Sequence, residues 1–149
     1  MSSAFQVTKI YPYSLGLSCC FRQWRAESHC HFLHGYSLQI ELTFEADTLS
    51  KEGWVIDFGS LKPIKEWLQD TFDHKLLVAE DDPHLLSLKV LGSAGAADIL
   101  ILPYVGCEAF ASHIFNHVAT WTRGSTRGRV RLAQVVVREH EANGVIHTA

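Results

Sequence analysis

The sequence lacks any apolar stretch long enough to cross a bilayer as a helix. Its first residues, Met1–Lys9, also lack the basic and then apolar pattern of an export signal. We therefore expect a cytoplasmic protein without a membrane partner. Thiols stay reduced in that compartment, so a disulfide framework is not expected from the four cysteines. Metal ligation and catalysis become the roles to test for them.

An excess of positive charge is also missing. The formal net charge is -3, so the chain has no broad basic field with which to hold nucleic acid. Internal repeats and low-complexity segments are absent as well. A length of 149 residues fits a single domain that covers residues 1–149.

Alternating apolar and polar residues predict two strands in the first third of the chain, at Tyr11–Cys19 and His34–Phe44. The segment between them, Phe21–Leu33, has too many charges and histidines for a core strand. A first helix is predicted to begin after Asp57, because Pro63 is compatible with a first helical turn.

A second helix is predicted at Cys107–Trp121, followed by a strand that leads to Glu139. Asn143–Gly144 predicts a hairpin turn, and Val145–Thr148 a short last strand. The pattern does not place the long segment Val78–Gly106. The resulting order is ββ-α-α-ββ, an α+β domain with a mostly antiparallel sheet.

The densest cluster of chemically active side chains is His29–His34, which holds three histidines and Cys30. A strand that begins at His34 places His34 and Tyr36 on one face. Cys19 ends the preceding predicted strand, so Cys19 and His34 could share a metal ion. The alternative is a polar loop beside a small core cysteine.

Two further features carry ionisable groups. Asp73 and His74 follow the first helix, where a carboxylate can orient an imidazole, although adjacent residues do not usually pair and helix capping is the alternative. Glu139 lies on the apolar face of its strand, which is costly without a partner. A ligand with a guanidine-like edge would be such a partner, and an arginine or water is the alternative.

These residues belong to five short motifs that follow one another along most of the chain. The motifs are Cys30-x3-His34-Gly35-Tyr36, Gly53-Trp54-Val55-Ile56-Asp57-Phe58, Phe72-Asp73-His74-Lys75-Leu76-Leu77-Val78, Gly106-Cys107-Glu108 and Arg138-Glu139. In order and spacing they resemble the 6-pyruvoyl-tetrahydropterin synthase family, which includes the bacterial 6-carboxytetrahydropterin (QueD-like) synthases.

The resemblance implies the tunnelling fold (T-fold), in which subunits join their sheets into a barrel as trimers or hexamers with sites at subunit interfaces. It implies a zinc-assisted lyase that acts on 7,8-dihydroneopterin triphosphate, in the 7-deazaguanine (queuosine) route or in pterin biosynthesis. The expected partners are therefore a small pterin substrate and further copies of the chain.

The resemblance also assigns roles to individual residues. Cys30 matches the family's catalytic base, and Asp73 and His74 match its partners in proton transfer. Glu139 matches the carboxylate that binds the 2-amino and N3 edge of the pterin. Glu108, with Cys107 beside it at the helix start, matches the residue that assists this binding.

The sequence departs from the family at the metal. The positions of the family's three zinc histidines hold Cys19, His34 and Tyr36, so a single histidine is kept. Either zinc is held by this altered set, with His29 or His31 as substitutes, or the chain is a diverged pterin- or purine-binding module. An oligomeric interaction domain without a small ligand is the third hypothesis.

Overall fold

The computed structural model describes residues 4–149; the first three residues of the segment Met1–Lys9 lie outside this range. Seven strands and three α-helices make up the described part of the chain. The strands are β1 (Phe5–Tyr11), β2 (Leu17–Phe21), β3 (His34–Ala46), β4 (Lys75–Ala79), β5 (Asp98–Leu102), β6 (Arg131–His140) and β7 (Asn143–Thr148). The helices are α1 (Lys62–Phe72), α2 (Leu85–Ser93) and α3 (Cys107–Ser125).

The strands form one sheet in the order β5-β4-β2-β3-β6-β7, with β1 paired to β3. The long strand β3 organises the sheet, because its first half pairs with β2 and its second half with β1. The pairs β2–β4 and β4–β5 are parallel, and the other pairs are antiparallel. The predicted α+β class with a mostly antiparallel sheet is therefore confirmed.

The core lies where α1 and α3 meet the alternating side chains of β3 and β6. Every second residue of β3 from Leu38 to Ala46 is fully buried there, as are the apolar stripes of both helices. The buried residues include Leu38, Ile40, Leu42, Phe44, Ile64, Leu68, Phe110, Ile114 and Val118. Each such side chain contributes about 1.5–3 kcal/mol through its removal from water.

The predicted strand at Tyr11–Cys19 is wrong in its boundaries. β1 ends at Tyr11, a short 3₁₀ turn follows, and β2 begins at Leu17. Gly16 has a φ of 81°, a left-handed conformation that a strand cannot contain. The alternation suggested one strand because Tyr11, Leu17 and Cys19 are all buried, but Tyr11 belongs to β1 and the other two residues belong to β2.

The unplaced segment Val78–Gly106 contains regular structure. Strand β4 begins before it at Lys75, and α2 then connects β4 to the parallel strand β5. A parallel pair needs such a crossover, which explains the length of the segment. This β4-α2-β5 unit is inserted into the predicted ββ-α-α-ββ order and extends the sheet beyond β2.

The second half of the chain follows the prediction more closely. Helix α3 begins at Cys107 as predicted and continues past Trp121 to Ser125. The hairpin between β6 and β7 is confirmed, but its turn residues are Glu141 and Ala142, and Asn143 opens β7. Within residues 4–149, none of the helices combines the length and apolar character needed to cross a membrane.

Candidate active site

A cavity of about 480 Å³ opens where the end of β2, the start of β3, the start of α3 and the β6–β7 hairpin meet. Its volume is typical of a small-molecule site. Six of the predicted site residues line it: Cys30, His34, Tyr36, Cys107, Glu108 and Glu139. A second cavity of about 490 Å³, near Phe5, Trp54 and Phe58, contains none of them.

Strand pairing brings part of this set together. Cys19 of β2 pairs with Tyr36 of β3, and Phe21 pairs with His34. Because paired residues and every second residue share a face, all four side chains lie on the same side of the sheet. The Phe21 ring contacts both His34 and Tyr36, with centroids 5.2 and 6.0 Å away.

Cys30 lies in a short 3₁₀ turn, His29–His31, in the loop between β2 and β3. Ser28 caps this turn, and its Oγ accepts a hydrogen bond from the backbone N–H of Cys30 at 3.4 Å. The loop closes on itself because the N–H of Gln23 donates to the Cys30 carbonyl at 3.0 Å. Cys30 is half-buried, so its thiol remains accessible from the cavity.

The Glu139 carboxylate is held from two sides. Asn143 Nδ2 donates to Oε1 at 3.1 Å, and the Cys107 thiol donates to Oε2 at 3.8 Å. The hydrogen-bond partners of this half-buried acid are therefore an amide and a thiol, with His140 Nε2 a further 3.8 Å from Oε1, rather than the arginine that the alternative invoked. Sequence reasoning missed Asn143, because its place in a turn motif concealed that a hairpin returns it beside Glu139.

Burial keeps two thiols near the cavity protonated. The pKa of Cys107 is raised to about 12 by burial and by the neighbouring Glu139 and Glu108. The pKa of Cys19 is also raised to about 12, mainly by burial. A thiol with such a pKa is a hydrogen-bond donor rather than a nucleophile or base, so Cys107 serves to orient Glu139.

Asp73 and His74 do not line the cavity that holds Cys30 and Glu139. Contrary to the expectation for adjacent residues, they pair with each other: His74 Nδ1 is 2.7 Å from Asp73 Oδ1. The His74 side chain is 86% exposed and lies in a separate depression beside Cys20 and Lys75. One chain alone therefore does not bring Asp73 and His74 to the cavity that holds Cys30 and Glu139.

The predicted zinc ligands do not fit a catalytic zinc site. In the part of the chain that the structure describes, no group of three His, Cys, Asp or Glu side chains is arranged to hold a metal. Burial raises the pKa values of Cys19 and the Tyr36 phenol, which opposes the anionic forms that bind zinc. His34 is then the single imidazole, whereas an open zinc site normally takes three protein ligands.

The substitutes do not complete the set. His31 Nδ1 lies 2.6 Å from the Ser28 carbonyl, and the His31 ring packs on Phe32 with a centroid distance of 4.1 Å. No metal analysis tests the assignment of zinc to Cys19, His34 and Tyr36, which stays a prediction; because their arrangement does not fit a catalytic zinc site, we assign no step of a reaction to a metal.

Comparison with known sequences identifies related proteins. The family model described as 6-pyruvoyl tetrahydropterin synthase matches residues 14–149. A 6-carboxy-5,6,7,8-tetrahydropterin synthase of Rickettsia felis is 38% identical over 93 residues, which are 62% of this chain and 67% of that protein. The protein of the same name in Aquifex aeolicus is 28% identical over 128 residues, 83% of this chain and 78% of that protein.

Comparison with solved structures gives the same architecture. An uncharacterized protein of Wolinella succinogenes superposes with a TM-score of 0.83 at 17% identity and covers 99% of both chains. The 6-pyruvoyl tetrahydropterin synthase of Plasmodium falciparum superposes with a TM-score of 0.72 at 18% identity, over 99% of this chain and 98% of that one. At these identities the superpositions establish the fold alone, which is the predicted tunnelling fold.

Proposed function

Since this chain belongs to the 6-pyruvoyl tetrahydropterin synthase family, we propose that it acts on 7,8-dihydroneopterin triphosphate as a 6-carboxytetrahydropterin synthase-like lyase. The chain is an enzyme of the tetrahydropterin synthase type. The proposal concerns the finer assignment: the substrate, the 6-carboxy product and a place in 7-deazaguanine (queuosine) or pterin biosynthesis. We also propose that residues 1–149 form one domain and that the protein is cytoplasmic.

The observation that carries the proposal is a half-buried carboxylate and an accessible thiol in one cavity. Glu139 is oriented by Asn143 and Cys107, and its oxygens have further lone pairs for two parallel N–H donors of a pterin edge. Cys30 lines the same cavity and would take a proton from the substrate side chain. Glu108 lies at the start of α3, in position to assist Glu139.

The proposed reaction needs a second copy of the chain. We assign proton transfer at the substrate side chain to Asp73 and His74 together with Cys30, and these groups do not meet within one chain. The bond from His74 Nδ1 to Asp73 leaves Nε2 free, on a side chain that is 86% exposed. A homo-oligomer, a trimer or hexamer, would cover this imidazole with the cavity of a neighbouring copy.

The test is turnover of 7,8-dihydroneopterin triphosphate by the purified protein, with triphosphate release and the pterin products followed by mass spectrometry. Cys30→Ala removes the proposed base and is expected to abolish release, because no other described thiol of the cavity is accessible. Thr120→Ala is the control, since Thr120 is exposed on α3 and lines neither the cavity nor the depression beside His74. A wild-type protein without release would overturn the proposal.

A pterin- or purine-binding module with altered or no catalysis is the second candidate. The donor set of Cys19, His34 and Tyr36 favours it, because the ordinary reaction uses zinc. Tight pterin binding without turnover would select the module, and the absence of any pterin-dependent rise in Tm would select an interaction domain. Metal content of the wild type and of Cys19→Ser tests the predicted zinc separately.

A further inference from the structure

The loop that carries Cys30 is attached to the inserted β4-α2-β5 unit. We call residues 22–33, between β2 and β3, the cysteine loop, and residues 80–83, between β4 and α2, the acidic turn. Apart from one 3₁₀ turn, the cysteine loop has no regular structure. The cysteine loop has no strand pairing to hold it in place, and its side chains contact the acidic turn instead.

The central contact is a two-bond ion pair. Arg22 donates from Nε to Asp82 Oδ2 at 2.8 Å and from Nη2 to Asp82 Oδ1 at 2.7 Å. Asp82 is 5% exposed, and its Oδ1 also accepts from the N–H of His84 at 2.8 Å. A planar guanidinium bound through both nitrogens to a buried carboxylate has a single orientation.

The third bond of the same guanidinium reaches the residue next to the cysteine. Arg22 Nη1 donates to the carbonyl of His31 at 3.0 Å, one residue after Cys30. The N–H of Gln23, the residue after Arg22, donates to the Cys30 carbonyl at 3.0 Å. The carbonyls of Cys30 and His31 are thus held by the backbone of Gln23 and the side chain of Arg22, and Asp82 fixes the orientation of that arginine.

A second ion pair joins the same two segments without reaching Cys30. Arg25 Nη2 lies 2.8 Å from Asp81 Oδ2, and Trp24 Nε1 donates to Asp81 at 3.2 Å. The side chains of Arg25 and Asp81 are 57% and 41% exposed, compared with 15% and 1% for Arg22 and Asp82. Exposed pairs of this kind contribute little, so this contact is a matched control.

We propose that Arg22 and Asp82 are positioning residues that hold Cys30 at the cavity, and that the inserted acidic turn serves the pterin reaction in this way. The proposal rests on the proposed function, because it assigns to Cys30 the role of base. A base must lie within hydrogen-bond reach of its proton, and a displacement of about 1 Å can cost up to 100-fold in rate.

Asp82→Asn is the first test, because it removes the carboxylate with little change in volume. We expect kcat to fall about tenfold, since the base is displaced. KM should stay unchanged, because Glu139 binds the pterin from another part of the chain. Arg22→Lys keeps the charge but loses the planar fork, so it should cause a smaller fall of the same kind. Asp81→Asn should leave both constants unchanged.

A second measurement does not depend on turnover. Alkylation of Cys30 by iodoacetamide, followed peptide by peptide in the intact protein, should become several-fold faster in Asp82→Asn and remain at the wild-type rate in Asp81→Asn. Cys20 serves as the internal reference. If the wild type shows no lyase activity, the proposed function fails while the alkylation rates still decide the role of the ion pair.

Asp82 is buried, so its variant requires a folding check by circular dichroism. If Asp82→Asn does not fold, kcat and the rate of Cys30 alkylation are measured on Arg22→Lys instead. Equal kcat and equal Cys30 alkylation in Arg22→Lys, Asp81→Asn and the wild type would overturn the proposal. A fall in kcat accompanied by an equal rise in KM would also overturn it, because it would indicate general damage to the site.

Discussion

His74 adopts a backbone conformation that costs free energy. Its φ of 59° is left-handed, a region that costs a residue other than glycine about 1–2 kcal/mol. The conformation is maintained because the His74 N–H donates to the Ser18 carbonyl at 2.6 Å and its ring binds Asp73. Such strain accumulates where a side chain has to point in one direction. Here it directs an imidazole outward, away from the core.

At the same scale, Asn143→Ala tests how Glu139 is oriented. Removing the amide takes the hydrogen bond from Oε1 and leaves His140 Nε2, 3.8 Å away, as the remaining neighbour of that oxygen. We expect KM for the pterin substrate to rise about fivefold, the equivalent of about 1 kcal/mol, with kcat unchanged. Steady-state kinetics measures both constants. Asn116→Ala on α3, outside the cavity, is the control. An unchanged KM would contradict the assignment.

At the scale of elements, α1 and α3 are joined by an aromatic contact as well as by the core. The Trp67 ring stacks on His117 with centroids 3.9 Å apart and an interplanar angle of 4°, and His113 lies 5.4 Å from the same ring. Burial lowers the pKa of His113 below 6.5, and burial together with His113 lowers the pKa of His117. The helix pair therefore favours neutral imidazoles.

This contact predicts acid sensitivity. A histidine whose folded pKa is below its unfolded value contributes its full stability above pH 6.5. That stability is lost as the pH falls from 6.5 toward the folded pKa, because the unfolded chain binds the proton more readily. His117→Phe keeps an aromatic ring on Trp67 and removes one of the two titrating imidazoles beside it, so its Tm should fall less than that of the wild type between pH 7.5 and 5.5.

The control for the acid sensitivity is His29→Phe, the same change on an exposed loop. This variant should retain the wild-type pH dependence of Tm. An identical slope for His117→Phe and the wild type would show that the imidazole beside Trp67 does not contribute.

At the scale of the whole molecule, the proposed site is divided between copies of the chain. Cys30 and Glu139 share a cavity on one side of the sheet, and His74, paired with the half-buried Asp73, is exposed in another depression. A closed ring of subunits repeats one heterologous contact, so each cavity can receive the same surface of the next copy. Self-association would then create the active site as well as the barrel.

Mixed oligomers test this arrangement. Cys30→Ala and His74→Ala are each expected to be inactive, but their co-assembly should restore activity in about a quarter of the sites, where an intact cavity meets an intact His74. The measurement is triphosphate release by the co-expressed pair. Cys30→Ala mixed with Glu139→Gln is the control and should stay inactive, because both residues belong to the cavity of one chain. No recovery in the first pair would contradict a shared site.

Local pattern was enough to determine much of this protein. The alternation of His34–Phe44 predicted the central strand, and the apolar stripes predicted α1 and the start of α3. The order and spacing of the motifs around Cys30, Asp73 and Glu139 indicated the family. These inferences succeed because side-chain periodicity and motif spacing are properties of neighbouring residues, which remain visible without any tertiary contact.

Contacts between distant segments were decided only by the tertiary structure. Arg22 and Asp82 are 60 positions apart, and no pattern in the sequence joins them. Asn143 reaches Glu139 only after a hairpin has closed, and the β4-α2-β5 unit needs a parallel partner to be identified as part of the sheet. The separation of Asp73 and His74 from the cavity has the same cause. Which surfaces meet depends on how the sheet and helices pack, and packing is a property of the whole chain.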